Sequence, residues 1–258
     1  MDLGIKGLRV MVSAGANGIG LEVARAFVRE GAVVHVCDVD QAALAQLAQT
    51  DAQLSTSVCD VSSRPAVQRF FDDGVRRLGG LDCLVNNAGI AGPTGKVEAI
   101  EPEEWDRCIA IDLTGQFNCV RLAVPELRKS ANASIMNVSS LAGRLGFAMR
   151  TPYAAAKWGV IGLMRSLAAE LGPDNIRVNA LLPGIVAGER QVRVLTAKSE
   201  ARGIAFEEME KLAFSYTSLK DYVTPQQLAD LVVFVASPRG RLISGQALSV
   251  CGDTQMLG

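Results

Sequence analysis

Between Leu8 and Asp38 the chain runs from a short apolar stretch, LRVMV, through a glycine-bearing turn, SAGANGIG (Ser13 to Gly20). It continues into a helical pattern, LEVARAFVRE, and out into AVVHVCD. The hydrophobic period changes from strand to helix and back to strand, with Gly31 supplying the helix stop. Glycines in such a turn let backbone amides approach a pyrophosphate at the N-terminus of the helix. A carboxylate at the end of the second strand, here Asp38, eighteen residues past Gly20, accepts both hydroxyls of an adenine ribose. The unit therefore reads as a dinucleotide site. The charge of Asp38 would repel a 2′-phosphate, and Cys37 and Asn17 offer no cation to hold one. The expected cofactor is NAD rather than NADP.

The alternation then repeats: QAALAQLAQ as helix, STSVCDV as strand, PAVQRFFDDGVRRL as helix, and LDCLV as a strand running into NNAG (Asn86 to Gly89). Near-continuous apolar strands between helices specify a parallel sheet covered on both faces, with ligands bound beyond the strands' carboxyl ends. Asp60 and Val61 fall at one such end, and Asn87 to Gly89 at another. A long helical stretch, roughly 102 to 129 and bent near Pro125, precedes the strand ASIMNVSS. IRVNALL follows as a further strand, turned at its end by Pro183 and Gly184. From Ile185 to Tyr222 the pattern shifts to two charge-rich helical segments, an insertion that suits either a flap over a substrate or an oligomer contact. Thr224, Pro225 and Gln227 then open a last helix with a capping box, and QALSVCG closes the chain's sheet. The expectation is an α/β fold: one doubly wound domain of about seven mostly parallel strands.

Within Asn137 to Gly172, a β-branched run ends in Ser139 and Ser140, and a helix follows. Thr151 and Pro152 read as its N-cap and first residue, so Tyr153 and Lys157, four apart, share one face. An ammonium close to a phenol favours the phenolate, and a serine hydroxyl can donate to a reacting oxygen. The three suit proton transfer at an alcohol or carbonyl.

Composition excludes other chemistries. Basic and acidic residues number 26 and 27, for a net charge of −1, which argues for neither nucleic acid nor an anionic membrane as partner. No apolar run spans a bilayer and no leader is evident, so a cytoplasmic location is expected. Six scattered cysteines show no metal-ligand spacing, and the single histidine, His35, can build neither a zinc site nor a serine-histidine triad; it reads as structural. No metal is expected.

These motifs resemble the short-chain dehydrogenase/reductase family over essentially the whole chain: SAGANGIG in place of its TGxxxGIG turn, NNAG, and Ser140, Tyr153 and Lys157 as its serine and YxxxK pair. The resemblance implies a Rossmann-type sheet, a nicotinamide cofactor, a small-molecule alcohol or ketone substrate and a homotetramer. By the same resemblance, Tyr153 is the general acid/base, Ser140 positions the substrate oxygen, and Lys157 binds the nicotinamide ribose. Gly15, Asn17, Gly18, Ile19 and Gly20 belong to the pyrophosphate turn, Asp60 and Val61 to the adenine, Asn87, Ala88 and Gly89 beneath the cofactor, and Pro183, Gly184 and Val186 near the nicotinamide. The chain departs from the pattern at several positions. Ala14 replaces the first glycine, at little cost if its φ is negative. Asp112 joins the catalytic set where the family has an asparagine, Gly188 replaces a threonine, and Cys251 and Asp253 alter the C-terminal DGG. An NAD-dependent secondary-alcohol dehydrogenase follows, with a dinucleotide-binding sensor or scaffold as the alternative. Arg144, Arg150, Arg190 and Arg193 read either as ordinary surface arginines or as groups for a polar, sugar-like or anionic substrate.

Overall fold

The structure is a computed structural model that describes residues 2–257. Its sheet orders the strands β3-β2-β1-β4-β5-β6-β7, and every neighbouring pair is parallel. The expected "mostly parallel" sheet is thus wholly parallel. The strands are β1 (Arg9–Ser13), β2 (Val33–Asp38), β3 (Leu54–Val58), β4 (Cys83–Asn86), β5 (Ser134–Val138), β6 (Arg177–Pro183) and β7 (Ala247–Val250). Strand order reverses between β1 and β4, which opens a crevice at the carboxyl edge there.

Alternate residues of each strand feed opposite faces. Val10 and Val12 join Val34 and Val36 against Val23 and Phe27 of α1 (Gly18–Arg29) and Leu228 and Val232 of α9 (Pro225–Ala236). Met11, Leu84 and Ile135 face the other way, onto Phe70 of α3 (Arg64–Leu78), Leu127 of α5 (Gly115–Leu127) and Met164 of α6 (Thr151–Leu171). Helix α2 (Gln41–Thr50) links β2 to β3. The predicted capping box of α9 forms: Gln227 N donates to Thr224 Oγ1 at 3.2 Å, and Thr224 N donates to Gln227 Oε1 at 2.9 Å.

Two local expectations require correction. The stretch predicted to bend near Pro125 carries its irregularity earlier. Helix α4 (Pro102–Ile109) runs through a π turn, Ala110–Thr114, into α5, and Pro125 lies inside α5. A π turn adds a residue to the helical repeat, and it lets Asp112 face inward together with Gly115 and Gln116, all of them buried. Helix α6 is capped by Arg150, with Thr151 and Pro152 as its first two residues. Proline is tolerated there because amides of the first turn have no helical partner. The Tyr153–Lys157 spacing is unaffected.

Candidate active site

Every predicted site segment reaches the carboxyl edge of the sheet. The first turn lies between β1 and α1. Asn17, extended at φ −146°, is the N-cap of α1, and Gly18, Ile19 and Gly20 form its first turn, which carries no acidic side chain. Their amides and the helix dipole together favour an anion. A Cβ on Gly20 would overlap the Ala14 carbonyl oxygen and Asn87 Nδ2, and one on Gly15 would lie 2.7 Å from Val36 Cβ. Ala14 itself has φ +51°, so the condition of a negative φ is not met. Its carbonyl is pinned: Asn87 Nδ2 donates to Ala14 O at 3.0 Å and to Ser13 O at 3.1 Å. The Ser13 hydroxyl accepts from Asn87 N and Ala88 N, both at 3.0 Å. NNAG therefore braces the turn through the Asn87 side chain, a role distinct from lying beneath a cofactor.

Asp38 ends β2 and accepts from two backbone amides, Ala16 N on Oδ2 and Asp40 N on Oδ1, each at 3.1 Å. At the next strand end the exposed Asp60 accepts from Ser62, while the buried Val61 packs on Gly115 and its carbonyl accepts from Asn118 Nδ2 at 3.0 Å. These features fit a dinucleotide, which needs free helix-terminal amides, a cradle without side chains and an acceptor for the ribose.

The candidate proton-transfer residues gather at the ends of β4 and β5 and on α6. Ser140 follows β5 and caps a short 3₁₀ turn, its Oγ accepting from Ala142 N at 3.1 Å. The hydroxyl hydrogen remains available to donate. The Ser139 hydroxyl donates to the Lys157 carbonyl at 2.8 Å and fastens the end of β5 to α6. Lys157 is 3% exposed and Asp112 fully buried. Lys157 Nζ makes an ion-pair contact with Asp112 Oδ2 at 3.2 Å, donates to Val138 O at 3.3 Å and lies 5.5 Å from the centroid of the Tyr153 ring. The other Asp112 oxygen accepts from Ile90 N at 2.7 Å, and Gly89 lies directly against this pair. Pro183 closes β6. Gly184 packs against Cys251, and Val186 bridges to Val223. Gly188, at φ +140°, caps helix α7 (Glu189–Arg202), in a conformation closed to a threonine without strain. Helix α8 (Phe206–Ser215) follows.

Two groups near the site escape sequence reasoning. Asn86 Nδ2 donates to Asn137 Oδ1 at 3.0 Å, and Gln116 Nε2 donates to Val138 O at 3.1 Å, a buried network joining β4, β5 and α5 that only tertiary structure brings together. Cys108 is also buried near the site. Burial, then Asp112, pushes its thiol up to about 11, which keeps it neutral. Among the described residues no group of three histidine, cysteine or acidic side chains is placed to hold a metal. None of their helices is long and apolar enough to cross a membrane.

A wholly parallel, doubly wound sheet with a glycine cradle at its first turn and a serine, tyrosine and lysine across the crevice defines a Rossmann-type oxidoreductase. The family model described as enoyl-(acyl carrier protein) reductase matches residues 13–252. The chain is 37% identical over 254 residues to trans-4-hydroxycyclohexanecarboxylate dehydrogenase of Sinomonas cyclohexanicum, covering 94% of this chain and 90% of that one. It is 32% identical to the 3-oxoacyl-[acyl-carrier-protein] reductase of Thermotoga maritima, covering 96% and 98%. A single-residue variant of actinorhodin polyketide ketoreductase, solved with NADPH, superposes with a TM-score of 0.88 at 30% identity, covering 94% and 95%. The chain belongs to the short-chain dehydrogenase/reductase family. It is an oxidoreductase that interconverts alcohol and ketone groups with a nicotinamide dinucleotide, and its dehydrogenase and reductase relatives favour catalysis over the sensor alternative.

Proposed function

We propose that the protein is an NAD-dependent dehydrogenase of a polar, sugar-like or anionic secondary alcohol, with Tyr153, Ser140, Lys157 and Asp112 as its proton-transfer group. The observation that carries this reading is the convergence of Lys157 on both the Tyr153 ring and Asp112, at the end of the strand that presents Ser140. Bound NAD supplies the hydride acceptor. Ser140 donates its free hydroxyl hydrogen to the substrate oxygen, and Tyr153 as phenolate takes the hydroxyl proton while the carbinol C–H bond gives up hydride. Lys157 donates to Val138 O and pairs by charge with Asp112, which leaves donor capacity for the nicotinamide ribose.

The preference for NAD rests on Asp38, whose partners are backbone amides and whose charge, with that of Asp40 two residues on, opposes a 2′-phosphate. A relative named for a hydroxycyclohexanecarboxylate supports a polar, ring-sized alcohol. The segment 185–222, with α7 and α8, acts as a flap over the substrate. Exposed Trp105, Phe117 and Trp158 on α4, α5 and α6 suit a homotetramer in the cytoplasm, a state that light scattering would report.

Steady-state assays with NAD and NADP across sugars, polyols and hydroxy acids test the reading. NAD is expected to be preferred by at least about tenfold, and Tyr153→Phe to lose at least about a thousandfold in kcat while the fold persists. Undiminished turnover by Tyr153→Phe would refute the role of the tyrosine, and a clear NADP preference would refute that of Asp38.

A further inference from the structure

Of the four arginines around the candidate substrate region, Arg144, Arg190 and Arg193 are exposed, and Arg193 pairs with Glu189 at 3.6 Å. Arg150 is different. At 2% exposure it is the largest fully buried side chain among the described residues. Its guanidinium donates to the Ala91 carbonyl and, at 3.4 Å, to Thr94 Oγ1, while its Nε has no acceptor. It lies 5.3 Å from the Tyr153 ring centroid and 5.4 Å from that of Phe147. Among the described residues no carboxylate forms an ion pair with it; the nearby Asp112 is engaged by Lys157 and Ile90.

A buried charge without a counterion is costly, and two rings with two neutral acceptors offset only part of that cost. The position adds to the imbalance. Arg150 is the N-cap of the 21-residue α6, at the positive end of its dipole, and the first turn of that helix holds no acidic residue. The preceding residue, Met149, is held at φ +64°, a left-handed conformation that a bulky residue adopts only when its surroundings impose it. The loop is strained and a cation is buried at the spot where the helix field is already positive.

Tyr153 and Lys157 share one face of α6, and Arg150, at the N-cap of that helix, lies 5.3 Å from the centroid of the same Tyr153 ring. We infer that Arg150 is the anchor for a carboxylate on the substrate, which is a small hydroxy acid held with its hydroxyl at Tyr153 and its carboxylate across the guanidinium fork. This deepens the dehydrogenase reading above and rests on it for the identity of the reacting hydroxyl. A guanidinium presents paired N–H groups that match a carboxylate in bidentate fashion, and a neutral ester or amide cannot answer them equally. The segments that would cover such a substrate already meet here. Gly95 N donates to Met149 O at 2.9 Å, and Lys198 of α7 lies 4.1 Å from the centroid of the Phe147 ring. Burial, then the proximity of Arg150 and Arg202, lowers the Lys198 ammonium to about 8. Entry requires Phe147 and α7 to lift from Arg150.

The test compares 4-hydroxycyclohexanecarboxylate and 3-hydroxybutyrate with their methyl esters, using the whole protein with NAD. Cyclohexanecarboxylate and cyclohexanecarboxamide serve as unreactive probes, read by inhibition and by the shift in melting temperature. The acids are expected to exceed their esters in kcat/KM by about a hundredfold, chiefly through KM. Cyclohexanecarboxylate should bind and its amide should not. In Arg150→Met the acid-to-ester ratio should fall toward one, and in Arg150→Lys it should recover in part. Esters turned over as well as acids, or Arg150→Met losing both alike, would overturn the anchor and leave the dehydrogenase reading standing. No turnover of any alcohol would instead count against that reading. Binding of the carboxylate probe by wild type, its weakening in Arg150→Lys and its loss in Arg150→Met would then still decide the anchor. If Arg150→Met does not fold, the wild-type ratios and the lysine variant carry the test.

Discussion

Lowering the pH from 7.5 to 5 perturbs one imidazole, because His35 is the only histidine in the chain. It is fully buried in β2, stacked on Phe70 at 5.3 Å, with Nδ1 2.8 Å from Ser55 Oγ and Nε2 3.0 Å from Ser57 Oγ. Ser57 donates its own hydrogen to Asp73 at 2.8 Å, so it accepts from His35. The neutral ring is therefore the Nε2–H tautomer, with Nδ1 accepting from Ser55. Burial lowers the ring's affinity for a proton to about 4, although Asp73 pulls the other way. Between that value and the ordinary value of about 6.5 the unfolded chain binds more protons than the native one, so stability falls as pH falls through this window. Integrated to pH 5, the loss is about 2 kcal/mol, or about 4–8 °C in Tm for a chain of this size. Melting curves at both pH values, for wild type and His35→Gln, measure it. The variant should flatten the dependence whatever its absolute stability, and the single histidine resonance of wild type should not titrate above pH 5. An equal fall in Tm for both proteins, or a resonance titrating near 6.5, would refute the reasoning.

Two further outcomes follow from the site. Gly20→Ala forces a methyl group onto the Ala14 carbonyl and Asn87 Nδ2 and strains the two hydrogen bonds that Asn87 makes to the turn. It is expected to cost about 2–5 kcal/mol and to weaken NAD binding, and a Tm within about 1 °C of wild type would contradict the clash. Asp112→Ala strips Lys157 of its buried counterion and Ile90 N of its acceptor, for a loss of about 3–5 kcal/mol. Asp112→Asn loses the ion pair but keeps the acceptor and should lose less, so equal melting of the two variants would show that the hydrogen bond to Ile90 contributes little.

The part of the molecule readable from sequence is the part whose causes are local. The β1–α1–β2 unit declares itself by period, glycine and a terminal acid within about thirty residues, and the capping box of α9 by two side chains three positions apart. What escaped has causes distant in sequence. The left-handed φ of Ala14 follows from a clamp by Asn87, 73 residues away. The π turn follows from what Asp112 must reach, Ile90 and Lys157, on two other segments. Pro125 gave the local signal for a bend, whereas the π turn at Ala110–Thr114 had none. The four arginines were equivalent in sequence. The loop through Met149 buries one of them and leaves the others in water.

That sorting explains how α6 and its N-cap bring two cations beside a single tyrosine without giving them the same task. Lys157 sits against a fixed carboxylate, so its field beyond Asp112 is reduced, and an incoming substrate anion gains little by moving toward it. Arg150, 5.3 Å from the Tyr153 ring centroid, has no such partner among the described residues, and the dipole of α6 reinforces its charge. A carboxylate entering the crevice therefore meets an uneven field that draws it to the Arg150 end, leaving the carbinol carbon on the side of Ser140 and Lys157. Had Asp112 been neutral, the two ends would compete and the substrate could bind reversed, with its hydroxyl away from Tyr153. On the proposed reading, the acid at position 112 serves orientation as well as proton transfer, and the asymmetry of neutralisation suits a substrate that carries a carboxylate.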